Sequence, residues 1–459
     1  MQKYYLRKKE ENTMRKAVAI LLALVMVFAL AACNKDSNTT TTNEPPPANT
    51  PAGGGGGGTA STNINDYWRP ADGPPTSYNA NHEVYTMANR LPWTGIFEPP
   101  AASRAHIEKA LSTFTAKAGQ NITVGYATWT LGSPYFAYLE RSVRDTAEAL
   151  GWTVITMVSD ADTPRHIANI ENFITMGVDI IINQAWTPEA EIFVTQQAVD
   201  AGIPVIGLGM PFPPETPIIT NAAALFYEMG FELGIQMVEL FGDEHIKMAL
   251  NPGMPSHAIS DGKTNGFLGG VVYARAIQNG APLSREDAML YGYNLFQEAM
   301  RTSRFNDPQY NWECVNTIDG FWTKEGGQSA CEDILTANPT INLLFTGNDE
   351  QAMGAVLAVQ QAGLVPGDDI VIICVGDGSK VSLEHVRDGL IHTIMLFSPM
   401  TSAKSTVDLA NMILNQGYDG NNLPIDLALG IDTANIGNVA YWMGTGNADY
   451  PAQADQIFP

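Results

Sequence analysis

A strand–helix unit repeats between residues 121 and 208, and this repeat constrains the fold more than any other feature of the chain. Short apolar runs rich in β-branched residues lie at 124–127, 154–158, 180–182 and 205–208. Such runs are typical of strands buried on both faces. Each segment between them opens with a hydroxyl residue followed by proline and ends before a glycine, which are start and stop signals of a helix. The alternation predicts a parallel sheet with helices on both faces.

The same pattern resumes in the second half of the chain and predicts a second α/β unit. Further strands are predicted at 246–250, 314–318, 341–345, 371–375 and 391–396. Further helices are predicted at 285–301, 324–335, 350–362, 380–387 and 402–415.

Two segments do not fit the strand–helix pattern. Residues 251–284 are rich in Gly, Pro and polar residues without a firm period. They are long for an αβ connection, which predicts a surface excursion or, alternatively, a lid or partner-docking loop. Residues 61–118 form an added N-terminal segment, in which we predict a helix at 101–118.

The first 33 residues have the parts of a secretory signal. Two basic residues precede an apolar run at 17–30, and small residues follow directly before Cys33. The order at 30–33, Leu-Ala-Ala-Cys, resembles a bacterial lipobox, in which the chain is cut before the cysteine and lipid is attached to it. The alternative, a transmembrane helix, needs about 20 apolar residues, and this run is shorter. Residues 34–60 are rich in Thr, Pro and Gly, which predicts a flexible tether.

Charge and motif content narrow the function classes. The formal net charge is −23 and the pI is about 4.6. This field repels phosphate backbones, so we expect no nucleic-acid partner. The sequence has neither the His-Glu-x-x-His pattern of zinc hydrolases nor the Gly-x-Ser-x-Gly turn of serine hydrolases. We therefore expect no enzyme activity, no metal and no cofactor.

Three cysteines follow Cys33 in the chain. An odd number argues against a disulfide framework. Cys374 lies in an apolar run and is predicted to be buried, whereas Cys314 and Cys331 could pair.

Short motifs follow the predicted strands in a fixed order. Ser133-Pro134-Tyr135-Phe136 follows the first strand, and Asn348-Asp349-Glu350 and Gly376-Asp377-Gly378 follow two later ones. By the order and spacing of these motifs, residues 121–435 resemble periplasmic sugar-binding proteins of the ribose/galactose type. These proteins share a ligand-binding core with LacI-type repressors.

The resemblance implies the type I periplasmic binding protein fold, in which two Rossmann-like lobes with parallel sheets are joined by a three-strand hinge. We expect the chain to cross between lobes near Ile219, Phe397 and Ile431. The predicted divisions are 1–33 for the signal and lipidated cysteine, 34–118 for the linker and extension, 119–219 with 398–430 for lobe 1, and 220–397 with 431–459 for lobe 2. Closure about the hinge would bury a ligand between the lobes.

The resemblance also implies ligand-binding residues at strand ends of both lobes. Aromatic rings suit the C–H face of a sugar, and planar polar groups suit its hydroxyls. Tyr135 and Phe136 match the stacking aromatics of one lobe, and Trp322 matches that of the other. Asn348 and Asp377 match polar residues that receive hydroxyls; the alternatives are a helix cap and a simple turn. The remaining candidates are Trp129, Gln184, Met210, Arg285 and Phe397.

One departure from the family affects the expected ligand. Gly209 and Met210 stand where many of these sugar binders have an Asp-Arg pair. We therefore expect a more aromatic, less charged pocket and weak binding of ribose.

These observations predict an extracytoplasmic lipoprotein, anchored to the cell membrane, that delivers a small polyhydroxylated ligand of the sugar class to ABC permease subunits. The alternative is a sensory binding protein that presents its ligand to a membrane receptor or kinase.

Overall fold

The computed structural model describes residues 107–435 except positions 211, 214, 225, 423–425 and 429–431. All described residues belong to one compact unit, Ala60–Pro459. Cys33, the predicted tether and most of the N-terminal segment lie outside the described residues. Among the described helices, none has the length and apolar character needed to span a membrane.

Strands and helices alternate along the described chain, as the sequence predicts. The strands are β1 (Thr123–Thr128), β2 (Thr153–Val158), β3 (Ile180–Asn183), β4 (Val205–Leu208), β5 (Asn221–Ala223), β6 (Ile246–Asn251), β7 (Phe305–Asp307), β8 (Trp312–Thr317), β9 (Leu343–Thr346), β10 (Val371–Gly376), β11 (Thr393–Leu396), β12 (Asp426–Ala428) and β13 (Asp432–Asn435). The α-helices are α1 (Glu108–Thr115), α2 (Pro134–Ala149), α3 (Thr163–Met176), α4 (Ile192–Asp200), α5 (Phe226–Phe241), α6 (Ala258–Gln278), α7 (Arg285–Thr302), α8 (Lys324–Ala337), α9 (Asp349–Gln361), α10 (Lys380–Arg387) and α11 (Pro399–Asn415).

The strands form two sheets. Sheet 1 is parallel throughout, in the order β12-β5-β4-β3-β1-β2. Sheet 2 has the order β13-β11-β10-β9-β6-β8-β7, with parallel inner strands and an antiparallel strand at each edge. The predicted α/β class with parallel sheets is confirmed. We call the elements of sheet 1 and their helices lobe 1, and those of sheet 2 lobe 2.

The chain passes between the sheets three times: after β5, after β11 and between β12 and β13. Two boundaries differ from the prediction. Lobe 1 extends past residue 219, because β5 pairs in parallel with β4. It also includes α1, which we had assigned to the N-terminal extension, because Ile107, Leu111 and Phe114 are buried in the core of sheet 1.

Residues 251–284 are not a surface excursion, and this prediction was wrong. Most of the segment is α6, a helix of 21 residues that is buried on nearly all sides between α5 and α7. A helix buried all round shows no apolar stripe, which explains the missing period. Its glycines allow the backbones of α5 and α6 to touch: a Cβ on Gly266 would lie 2.0 Å from the carbonyl oxygen of Tyr227.

The cysteines of the described chain are all buried and free: Cys314, Cys331 and Cys374. No Cys314–Cys331 disulfide is present in this structure.

Candidate functional site

A cavity of about 310 Å³ lies between the carboxyl ends of the strands of the two sheets. Ligands of open α/β sheets bind at this edge, and the volume falls in the lower range of small-molecule sites. Six predicted residues line it: Tyr135, Phe136, Trp322, Asn348, Asp377 and Phe397. The other lining residues are Ser133, Pro134, Trp186, Phe226, His257, Ile259, Lys263, Phe321, Thr323, Asp349, Glu350 and Ser379.

The hinge side of the cavity is closed by aromatic rings from both lobes. Tyr135, at the start of α2, lies 5.3 Å between ring centroids from Phe397, which follows β11. Phe397 in turn meets Phe226 of α5 edge-to-face at 4.8 Å. Such offset and edge contacts are favourable aromatic geometries. They join the cores of the two lobes at the point where the chain crosses between them.

A second aromatic contact bridges the two lobes. Trp186, after β3, lies 4.6 Å between centroids from His257, after β6. The other partner of Trp186 is Trp129, which stacks on it at 5.0 Å with nearly parallel planes. Trp129 therefore does not line the cavity but supports a residue that does. Gln184 in turn holds Trp129, because its side-chain oxygen accepts the backbone N–H of Trp129 at 2.9 Å.

Trp322 is held in the cavity by an unusual turn. Phe321 and Trp322 have φ angles of 54° and 61°, a left-handed conformation that costs about 1–2 kcal/mol for a residue with a side chain. The amide of Asn348 donates to the Trp322 carbonyl at 3.2 Å, while its oxygen caps α9 by accepting the Gln351 N–H. Asn348 thus lines the cavity with both polar atoms already engaged, which fits the helix-cap alternative.

Asp377 differs from Asn348 because its carboxylate receives no hydrogen bond from any described residue, although it lines the cavity. Its backbone is fixed by Asp349, whose carboxylate accepts the N–H groups of Asp377, Gly378 and Ser379 at 2.7, 2.8 and 3.1 Å. The Ser382 hydroxyl donates to the same carboxylate at 2.5 Å. Asp349 therefore builds the turn that presents Asp377 to the cavity.

Lys263 of α6 is the buried cation of the site. Its ammonium donates to the carbonyls of Gly347 and Val375 at 3.0 and 2.8 Å. It also lies over the rings of Trp322 and Phe226 at 4.9 and 5.2 Å. Burial lowers the pKa of Lys263, and the nearby Asp377 offsets part of this. Burial and the charge of Asp349 raise the pKa of Asp377.

His257 and Glu350 complete the titratable lining. Burial and the Lys263 charge lower the pKa of His257 to about 4, so the ring is neutral at pH 7. Burial raises the pKa of Glu350, with Asp349 adding to the effect. Within the described part of the chain, no group of three or more His, Cys, Asp or Glu side chains could hold a metal ion.

Two further predicted residues lie away from the cavity. The Met210 side chain is buried after β4, and its carbonyl accepts the Asn221 amide. Arg285, at the start of α7, pairs with Glu228 and lies over Phe231 at 4.7 Å. Neither residue lines the cavity, and Cys33 lies outside the described residues.

Sequence reasoning missed several lining residues, and their signals differ. Trp186 follows β3 and stands directly before Thr187-Pro188, and Phe321 lies between β8 and the start of α8. Considering every aromatic residue that follows a predicted strand would have found both. Phe226, His257 and Lys263 carry no such signal, since they belong to α5 or to the segment that we had read as a surface excursion.

Three comparisons place the chain among known proteins. Residues 124–419 match the family model described as a periplasmic binding protein domain. The ribose import binding protein of Salmonella typhimurium LT2 is 22% identical over 324 residues, which cover 69% of this chain and 93% of that protein.

Solved structures agree with this fold. An ABC transporter solute-binding protein from Bacillus halodurans with bound myo-inositol has a TM-score of 0.56 at 18% identity, covering 72% of this chain and 100% of that one. A Mycobacterium smegmatis protein in complex with β-D-fucofuranose has a TM-score of 0.55 at 21% identity, covering 73% of this chain and 97% of that one.

Proposed function

The chain belongs to the periplasmic binding protein domain family, and from this premise we propose that it is an extracytoplasmic solute-binding protein. It binds a small polyhydroxylated ligand of the sugar class and delivers it to the permease of an ABC importer. It does no chemistry on the ligand. The names of the relatives support this reading, since they include import binding proteins for ribose and apiose.

The cavity is the observation that carries the proposal. Aromatic rings of both lobes line it, and Asp377 offers it a carboxylate that has no donor among the described residues. Rings suit the apolar face of a sugar, and a carboxylate that a ligand covers needs a donor such as a hydroxyl. A ligand that touches both lobes gains all these contacts only when the lobes are closed, so it favours closure.

A thermal-shift panel of sugars, sugar alcohols, nucleosides and amino acids tests the ligand class. We expect the largest rise in Tm for a cyclic polyhydroxylated compound, because a ligand that binds only the folded state stabilises it. Small-angle scattering should then show a smaller radius of gyration with that compound. Stabilisation by amino acids alone would contradict the sugar assignment, and no ligand and no closure would contradict solute binding itself.

Two substitutions test the position of the site. Asp377→Ala removes a half-buried hydrogen-bond acceptor that the ligand would cover, for which the cost is about 1–3 kcal/mol, or roughly 5- to 150-fold in Kd. Trp322→Ala removes a stacking face and should also weaken binding. Phe193→Ala is the matched control, because Phe193 is 73% exposed on α4 and does not line the cavity. Full affinity in both cavity variants by calorimetry would place the site elsewhere.

Membrane anchoring through Cys33 is part of the proposal and is supported by the lipobox-like order of residues 30–33. The Cys33→Ser protein should leave the membrane fraction or remain unprocessed, and it should lose palmitate labelling. Unchanged labelling of that variant would contradict the anchor, without bearing on the ligand site.

A further inference from the structure

The charges that line the cavity are unbalanced. Among the described lining residues, three are carboxylic acids (Asp349, Glu350 and Asp377), one is a lysine and none is an arginine. His257 adds no charge at pH 7, because burial and Lys263 keep it neutral. The lining is therefore net negative when its carboxyl groups are ionised.

Lys263 is not placed to neutralise an acidic ligand. Two of its three N–H bonds point to the carbonyls of Gly347 and Val375, and aromatic rings lie beside it. The negative charges of Asp377 and Asp349 also act on it. The Lys263 ammonium thus already interacts with carbonyls and carboxylates of lobe 2.

Three helix starts of lobe 2 offer no substitute for a cation, whereas α6 has no side-chain cap at His257. Free N–H groups at a helix N-terminus attract anions, but at α8, α9 and α10 the protein's own side chains occupy them. Thr323 caps α8, Asn348 caps α9 and Ser379 caps α10. The N–H groups of residues 377–379 are bound to the Asp349 carboxylate.

In lobe 1, Ser133 likewise makes no side-chain cap at the start of α2. The first N–H groups of α2 therefore remain for acceptor oxygens of a ligand. Lobe 1 thus offers donors, and lobe 2 adds the Asp377 carboxylate, which receives no hydrogen bond from a described residue although Lys263 lies near it.

We propose that the ligand carries an ammonium group beside Asp377, so that an amino sugar binds more tightly than its parent sugar or the corresponding sugar acid. This inference rests on the proposed sugar-binding function and narrows it. An ammonium gives Asp377 a charged hydrogen bond, and the surrounding rings also favour a cation. The ligand's hydroxyls meet the free amides of α2.

Calorimetry at pH 7 on the unmodified protein tests the inference with matched ligands. The series are glucose, glucosamine, N-acetylglucosamine and glucuronate, and the four galactose counterparts. In at least one series the amine should bind about tenfold more tightly than the parent, since charged hydrogen bonds exceed neutral ones by about that factor. The N-acetyl form, which has no charge, should lose this gain, and the acid should bind at least tenfold more weakly than the parent.

Proton release gives a second readout that needs no variant. Burial raises the pKa of Asp377, and an ammonium beside it would lower that pKa again. Binding of the amine should therefore release protons, seen as a dependence of the binding heat on the ionisation enthalpy of the buffer. The parent sugar should show little of this dependence.

Asp377→Asn isolates the charge at nearly constant shape. The variant should bind the amine and its parent with equal affinity, whereas Asp333→Asn, an exposed change on α8, should keep the preference. The inference is overturned if the parent sugars bind as tightly as the amines in both series, or if the acids bind most tightly. Either result would leave the proposed sugar binding intact. If no sugar of any charge binds, both the inference and the proposed function fail.

Discussion

Asp349 is the lining residue whose substitution we expect to disturb the site most, because its carboxylate holds the turn that presents Asp377. One carboxylate oxygen accepts the Asp377 N–H, and the other accepts the Gly378 and Ser379 N–H groups and the Ser382 hydroxyl. In Asp349→Asn, the amide oxygen can serve only one of these positions. If the amide oxygen accepts from Gly378, Ser379 and Ser382, the new NH₂ group faces the Asp377 N–H. Two donors then meet where the present donor and acceptor lie 2.7 Å apart.

The expected cost follows from this count. One hydrogen bond to a charged acceptor is lost, at about 1.5–3 kcal/mol, and the remaining three become neutral and weaker. Part of this cost is offset, because the substitution also removes a negative charge close to Asp377. We expect Asp349→Asn to lower the free energy of unfolding by about 2–4 kcal/mol. Ligand affinity should also fall at least fivefold, because the turn that presents Asp377 shifts.

Urea unfolding at pH 7 and calorimetry measure the two effects. Asp333→Asn is the control and should change stability by less than about 0.5 kcal/mol, as is usual for an exposed site. Unchanged stability would refute the account of the hydrogen bonds. Lost stability with full affinity would show that Asp349 does not position Asp377.

Two further predictions concern lobe stability. Burial raises the pKa of Glu191 to about 7, above its ordinary value of about 4.3. The protonated side chain therefore stabilises the folded state fully below about pH 4, and this stability is lost as the pH rises to 7. Glu191→Gln should therefore exceed the wild type in stability at pH 8 by about 2–3 kcal/mol and match it at pH 4; urea titrations with equal differences at both pH values would contradict this. Gly266→Ala places a Cβ 2.0 Å from the Tyr227 carbonyl oxygen and should cost more than about 2 kcal/mol by overpacking; an unchanged Tm would show that α5 and α6 separate easily.

The strand–helix repeat was readable from the sequence because each of its signals is local. Buried parallel strands appear as short β-branched runs, and proline and glycine mark helix ends. The predicted hydroxyl caps differ in the structure: Asp162 rather than Thr163 caps α3, and Ser133 and Thr187 make no side-chain cap. Thr163 instead occupies the first helical turn. The fold class does not depend on which residue caps the N-terminus of a helix.

The site was only partly readable because some of its residues are placed by tertiary packing. Asp377 directly follows β10, and Tyr135 and Trp322 lie shortly after β1 and β8, so the sheet edge brings them together. Lys263 lies in a helix with no polar face, where nothing local distinguishes a buried lysine from a surface one. Arg285 was predicted from the resemblance to sugar-binding proteins, whereas in the structure it pairs with Glu228 outside the cavity.

The order of elements along the chain also has a consequence for synthesis. Lobe 1 needs α11, whose Val407, Ala410 and Ile413 fill its core, and the strand β12 pairs with β5 at its edge. Both are made only after the whole of residues 226–397. A nascent chain therefore carries a lobe 1 with an open edge strand and uncovered apolar surface while lobe 2 is being translated. Such surfaces favour aggregation, so the chain depends on remaining unfolded or chaperoned until residue 428 has emerged.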